Sequence, residues 1–224
     1  MKKFSNYDDI EANEFVPTEK LTPGPHLCVI KDAVEVSYKR KDGTGEFPML
    51  NIRFDITGDE ELAGFYDRKY KRKIEEAEKE GNDVTSVRYE GIYRLSIPVD
   101  DGSEQDEKTK VNFKTVITAI EKSNKNYTFD FEEKTLIGKI FCGVFGIEEF
   151  ENSMTGETLY STKCRFIRST ENMDKITIPK VKLIDKTYIE YEDWLKQKEA
   201  EKNGTSVNTT TEFTVSEEDD SLPF

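Results

Sequence analysis

The chain has 224 residues, with 33 Lys+Arg against 46 Asp+Glu and a formal net charge of -13. Hydrophobic and charged residues each make up 35%, too polar for one large packed domain and too apolar for a wholly disordered chain, so a modest core with polar insertions and a disordered end is expected. No apolar run approaches the ~20 residues that span a bilayer, and the start, Met1-Lys2-Lys3-Phe4-Ser5-Asn6-Tyr7-Asp8, lacks the apolar stretch of a signal peptide, so no membrane association is expected.

The first 20 residues are polar, are punctuated by Pro17, and read as an N-terminal arm. Pro23-Gly24-Pro25 is a turn and 26–36 a strand, broken at Lys41-Asp42-Gly43-Thr44-Gly45. Leu50, Ile52, Phe54 and Ile56 then alternate with Asn51, Arg53, Asp55 and Thr57, the mark of a half-buried strand. Residues 65–70 read as a returning strand, so that the basic run Arg68-Lys69-Tyr70-Lys71-Arg72-Lys73 begins on a strand and enters a loop; 74–81 reads as a short solvated helix.

Tyr93, Leu95, Ile97 and Val99 alternate again, and the polar stretch 100–110 reads as a flexible loop. Phe113, Val116, Ile117 and Ile120 fall on one helical face, with Asn112 or Thr109 as candidate caps and Lys122-Ser123-Asn124 at the end. Residues 139–147 are β-branched and aromatic, and their glycines point to bends or a bulge in a curved sheet. A turn at 152–156 leads to a strand over 159–167, and a last apolar stretch, 179–191, passes into Trp194 and a charged segment. The expected fold is mainly β: a single five-stranded barrel of the oligonucleotide-binding type, with insertions and one central helix, spanning 21–195. Residues 196–224 are expected to be a disordered acidic tail.

Catalysis and cofactors find little footing. Cys28, Cys142 and Cys164 are far apart in strand-like runs and His26 is the one histidine, so no metal-ligand spacing exists and free thiols are expected. No nucleophile elbow, phosphate loop or paired-carboxylate spacing is present. No enzyme activity and no cofactor are expected.

The charge is unevenly placed. The 22 residues from Asn203 to Phe224 hold no Lys or Arg but five acids, leaving 41 acids against 33 bases through Lys202. Against that background Arg68, Lys69, Lys71, Arg72 and Lys73 form a local cationic feature suited to phosphates, with Tyr66 and Tyr70 suited to stacking on bases. Arg53, Arg94, Lys163 and Arg165 are further candidate phosphate contacts and Tyr93 a further candidate stacker; strand alternation puts Tyr93 and Arg94 on opposite faces, leaving open which of them is outside. Trp194 reads as a packed lid. Glu217, Glu218, Asp219 and Asp220 precede Leu222, Pro223 and Phe224, a pattern suited to inserting an apolar tip into a pocket with a basic rim.

The ending Asp219-Asp220-Ser221-Leu222-Pro223-Phe224 resembles the acidic, proline-phenylalanine tip of bacterial single-stranded DNA-binding proteins. The body resembles a phage family of Gram-positive hosts found near replication and recombination genes. The matching stretches are Pro23-Gly24, residues 50–56, Phe65-Tyr66-Asp67-Arg68-Lys69-Tyr70, residues 113–124, Leu136-Ile137-Gly138-Lys139, Phe145-Gly146-Ile147-Glu148-Glu149-Phe150 and Ile178-Pro179-Lys180. The resemblance implies sequence-independent binding of single-stranded DNA in the host cytoplasm during phage replication or recombination. It implies a tail that recruits replication or recombination proteins, and a homodimer is compatible with it. The alternative is a phage recombination accessory or strand-annealing protein acting mainly by protein interaction.

Overall fold

A computed structural model describes residues 19–40, 43, 45–153 and 155–202. The expectations for the N-terminal arm before residue 19 and for the acidic tip at Glu217, Glu218, Asp219, Asp220, Leu222, Pro223 and Phe224 lie outside the described residues.

The chain forms a mixed α/β fold rather than the expected five-stranded oligonucleotide-binding barrel. In order, its elements are β1 (Gly24–Lys39), β2 (Glu46–Ile56), α1 (Phe65–Lys79), β3 (Ile92–Ser96), α2 (Glu104–Ser123), β4 (Ile140–Glu151), β5 (Thr158–Arg168), β6 (Val181–Lys182), β7 (Tyr188–Ile189) and α3 (Tyr191–Lys202). The described residues are 31% helical, and the seven-stranded sheet does not close into a barrel. β1 lies between β2 and β4 in antiparallel register, and β3 pairs with β2. β5 pairs with β4 along its length. β5 and β1 both pair with residues 142–145 of β4 and therefore occupy its two edges. β6 joins the β1 edge at Glu148, beyond the point where β1 has left it. No ladder joins β3 to β5; α2 packs on β3, β4 and β5 instead.

Two β-bulges interrupt the ladders. Ile30 pairs with Phe54 and Asp32 with Arg53, leaving Lys31 as the extra residue of β1. Val144 pairs with Phe166 and Phe145 with Cys164, leaving Arg165 as the extra residue of β5. A bulge re-aims its side chain, and here each one carries a cation. Gly143 belongs to the same bend: a Cβ there would come within 2.9 Å of the Cys28 sulfur and 2.8 Å of the Phe145 ring.

The main core lies against one face of β1–β4. Phe54 is its hub, with Tyr66, Phe141 and Phe145 edge-on at centroid distances of 5.5, 5.5 and 6.1 Å, and Ile30, Ile52, Leu95, Ile120 and Leu136 fill around it. Truncating such a buried phenylalanine costs about 3–5 kcal/mol. Trp194 closes a second, smaller core with Ile147, Val181 and Ile189, its indole N–H donating to Glu149 Oε1 at 3.0 Å. Helix α3 extends to Lys202, beyond residue 196 where the tail is expected to start.

Two local expectations are corrected. The polar stretch 100–110 is not a loop throughout: α2 starts at Glu104, capped by Ser103, whose Oγ accepts from the Asp106 N–H at 3.1 Å. Thr109 and Asn112 lie inside the helix, and its first-turn acids Glu104, Asp106 and Glu107 suit the positive end of the macrodipole. At the other end Asn124 stitches the helix to β4, donating to the Ile120 and Ile140 carbonyls at 2.8 Å each and accepting from the Ile140 N–H at 3.0 Å. The second correction is residues 65–70, which form the start of α1 and not a strand.

Candidate nucleic-acid interface

Helix α1 exists because of a residue on β2. Asp55 is fully buried, and its carboxylate accepts from the Ile56 and Tyr66 N–H groups at 2.8 and 2.9 Å through Oδ1 and from the Asp67 N–H at 3.0 Å through Oδ2. Two of these donors are orphan N–H groups of the first turn of α1, which the preceding Gly64, in the left-handed conformation at φ 76°, cannot cap with a side chain. A neighbouring strand therefore supplies the helix cap. Burial pushes the Asp55 carboxyl above its ordinary value, with the three N–H bonds pulling the other way and the charge of Asp67 adding to the rise.

With α1 anchored there, a cationic and aromatic platform assembles at its N-terminal half. Arg53, on the outer face of β2, lays its guanidinium 3.8 Å above the centroid of the Tyr89 ring and 5.9 Å from that of Tyr70. The two tyrosines meet edge-on at 5.6 Å. Tyr89 is fixed by its hydroxyl, which donates to the Phe54 carbonyl at 3.0 Å, and burial raises its phenol well above the ordinary value. Asp67 receives Lys31 at 3.1 Å and Arg53 at 3.6 Å. Burial opposes ionisation of Asp67, but the hydrogen bond and charge of Lys31 hold its carboxyl below the usual range. The Arg53 side chain remains 41% exposed, while Tyr70 and Tyr89 are half-buried, Tyr89 packing against the main core.

The segment that delivers Tyr89 is wedged in place. Gly91 is buried, its carbonyl accepts from the Phe54 N–H at 2.8 Å, and a Cβ there would lie 2.8 Å from the Tyr66 ring. Glu90, next to it, bridges two successive turns of α1, meeting Lys69 at 2.6 Å and Lys73 at 2.5 Å. Burial again opposes ionisation, and the two lysines hold the Glu90 carboxyl below its ordinary value. Arg68 pairs with Glu19 at 2.8 Å and donates to the Ala63 and Glu61 carbonyls. Lys71 and Arg72 make no ion pair among the described residues. A cleft of about 610 Å³ between α1 and residues 82–90 is lined by Lys73, Arg88, Glu76, Asp83 and Glu90.

The charges of α1 are unevenly spread: Asp67 stands in the first turn, Arg68, Lys69, Lys71, Arg72 and Lys73 crowd the middle, and Glu75, Glu76 and Glu78 follow before Lys79 in the last turn.

The predicted site residues divide. Arg53, Arg68, Lys69, Tyr70, Lys71, Arg72 and Lys73 are gathered around α1. Arg94 pairs in register with Asn51 on β2 and so shares the outer face with Arg53, beside Tyr38, whose hydroxyl accepts from Asn51 at 3.0 Å. Tyr93 is the inward member of that alternating pair: it packs against the core, and burial pushes its phenol up to about 12. Tyr66 is 5% exposed, its ring held edge-on by Phe54 and Phe65. Tyr66 is thus buried and Tyr93 half-buried. Lys163 and Arg165 stand on β5, with β4 and β1 between them and β2 in the sheet. Both meet Glu148, at 2.9 and 3.7 Å, and the Arg165 side chain is 12% exposed over Tyr188. Tyr89, Lys31 and Glu90 carry no signal of their role in the sequence. Tyr89 and Glu90 lie in a stretch without periodicity, and Lys31 enters the site through a bulge.

Among the described residues no helix is long and apolar enough to cross a membrane, and no group of three or more His, Cys, Asp or Glu is placed to hold a metal ion. Cys28, Cys142 and Cys164 are free thiols, and burial raises all three above the ordinary thiol value. No family model matches the chain, and no curated protein matches it.

Proposed function

We propose that this protein binds single-stranded DNA without sequence preference, in the setting of phage replication or recombination. The observation that carries the proposal is the stack of Arg53, Tyr89 and Tyr70, with the Arg53 side chain 41% exposed, beside the cationic run of α1. A guanidinium plane and tyrosine rings accept any base by its π-face, each such stack contributing about 1–3 kcal/mol. Lys31, which meets Asp67 beside Arg53, takes the phosphates together with Lys69, Lys71, Arg72, Lys73 and Arg94. Because the body is net acidic, binding depends on this local patch rather than on a generally basic surface. The segment Glu217 to Asp220 with Leu222, Pro223 and Phe224 recruits replication or recombination proteins, so deleting 222–224 abolishes recruitment and spares DNA binding.

The test is a titration of labelled oligo-dT at low salt beside a matched duplex. Binding of the single strand that weakens with salt is the expected result; no single-strand binding at low salt overturns the proposal. One observation favours a second reading, a recombination accessory or annealing protein: Arg68, Lys69 and Lys73 already hold carboxylates. Annealing of complementary strands without protection from nuclease would select it.

A further inference from the structure

We infer that Lys69 and Lys73 form a cradle for one phosphodiester group of a single strand, and that Glu90 occupies that cradle in the free protein as an internal substitute for the phosphate. The inference rests on the DNA-binding reading above and names the residue that regulates the same site.

The geometry is that of one anion shared between two ammonium groups. Lys69 and Lys73 are one helical turn apart, so their side chains rise from the same side of α1. Each reaches a different oxygen of a single carboxylate, Oε2 at 2.6 Å and Oε1 at 2.5 Å. A phosphodiester likewise presents two unesterified oxygens and one negative charge, and it can bridge the two ammonium groups in the same manner. Two cations against one anion leave the cradle itself with one positive charge while Glu90 is in place, beside Glu76, Glu80, Asp83 and Arg88 in the adjoining cleft.

The pairs are open to exchange. The Lys69, Lys73 and Glu90 side chains are 32%, 43% and 38% exposed, a range in which ion pairs contribute little to stability. Glu90 is held near the lysines by its own backbone rather than by the ion pairs. Gly91 after it is wedged against Phe54 and Tyr66, and Tyr89 before it is bonded to the Phe54 carbonyl. A carboxylate so placed can swing away while Tyr89 stays under Arg53. The cradle also borders the stacking platform, because Tyr70 lies between the two lysines in sequence and meets Tyr89. A base on the platform therefore has its phosphate within reach of the lysines.

The experiment compares wild type, Glu90→Gln and the triple variant Glu90→Gln/Lys69→Ala/Lys73→Ala by oligo-dT titration across a NaCl series, with thermal unfolding of each protein alongside. The expected result is roughly tenfold tighter binding by Glu90→Gln at low salt. The salt slope steepens by about 0.7 for each additional phosphate neutralised, and the tighter binding disappears in the triple variant. Glu90→Asp, whose shorter carboxylate cannot span both lysines, tightens binding to an intermediate degree and replaces Glu90→Gln if that variant unfolds. Affinity that is unchanged or reduced in folded Glu90→Gln overturns the inference while leaving the DNA-binding reading intact. Failure of wild type and variant alike to bind oligo-dT overturns both. Inorganic phosphate at matched ionic strength is the second arm: if it erases the difference between Glu90→Gln and wild type, the cradle serves free phosphate and the strand assignment is overturned.

Discussion

Asp55→Ala removes the cap on which the whole α1 site depends. The side chain is fully buried and accepts three backbone N–H groups, two of them in the first turn of α1. Each N–H left without an acceptor costs about 1–3 kcal/mol when buried, and loss of a helix cap by itself about 1 kcal/mol. Relief from burying an ionisable group offsets part of this, leaving a net loss of about 2–4 kcal/mol. With a urea m-value near 2 kcal/mol/M, the midpoint falls by about 1–2 M. Asp55→Asn keeps one acceptor oxygen and the side-chain shape, so it loses about half as much. The assay is reversible urea unfolding followed by circular dichroism, with oligo-dT titration of the folded variants, in which affinity falls because α1 no longer holds Tyr70 and its cations against Arg53. A loss below about 0.5 kcal/mol in Asp55→Ala would refute the capping role, since that is the range of ordinary surface substitutions.

Three further predictions concern the same region. Gly91→Ala places a methyl group 2.8 Å from the Tyr66 ring and destabilises by about 1–3 kcal/mol through overpacking, read as a lowered urea midpoint; a neutral result would show that residues 82–91 yield easily. Tyr89→Ala lowers oligo-dT affinity by about 1–3 kcal/mol, while Tyr89→Phe keeps stacking and loses the hydroxyl's bond to the Phe54 carbonyl and its interaction with Asp67, about 1 kcal/mol of stability; titration and unfolding of both separate the two roles. The third is a pH dependence. The raised Asp55 carboxyl contributes stability that is complete below its unfolded value and lost as pH rises through its folded value, whereas the lowered Asp67 carboxyl contributes stability present above its unfolded value and lost as pH falls through its folded one. The stability deficit of Asp55→Asn is therefore greatest at acid pH and narrows toward neutrality in urea titrations; a deficit that widens with pH contradicts the assigned shift.

What the sequence makes legible is local periodicity. Leu50, Ile52, Phe54 and Ile56 all enter the core, as does the face Val116, Ile117 and Ile120 of α2. Asp55 breaks the alternation because its work is tertiary: it sits 11 residues before Tyr66, whose N–H it binds, and no window pattern encodes that bond. For the same reason residues 65–70 read as a strand. Their aromatic content is strand-like, and the residue that turns them into a helix lies on β2. The start of α2 is hidden because its first turns are solvated and polar, leaving only Ser103 to mark it. Barrel closure is misread because it depends on a β3–β5 pairing that neither strand specifies alone; β3 is five residues long and α2 packs where that ladder would run. The cationic run is legible as composition, but its partners Glu19 and Glu90 and the stacking ring of Tyr89 depend on how the chain folds back.

Photocrosslinking locates the strand directly. An oligo-dT carrying 5-iodouracil, bound at low salt, irradiated, digested and read by mass spectrometry, is predicted to attach to Tyr89 or Tyr70 and to lose both adducts when excess unlabelled oligo-dT is present. Adducts confined to β5, around Lys163 and Arg165, or no adduct above that of a non-binding control protein, would contradict a single-stranded DNA site on the Arg53–Tyr89–α1 face.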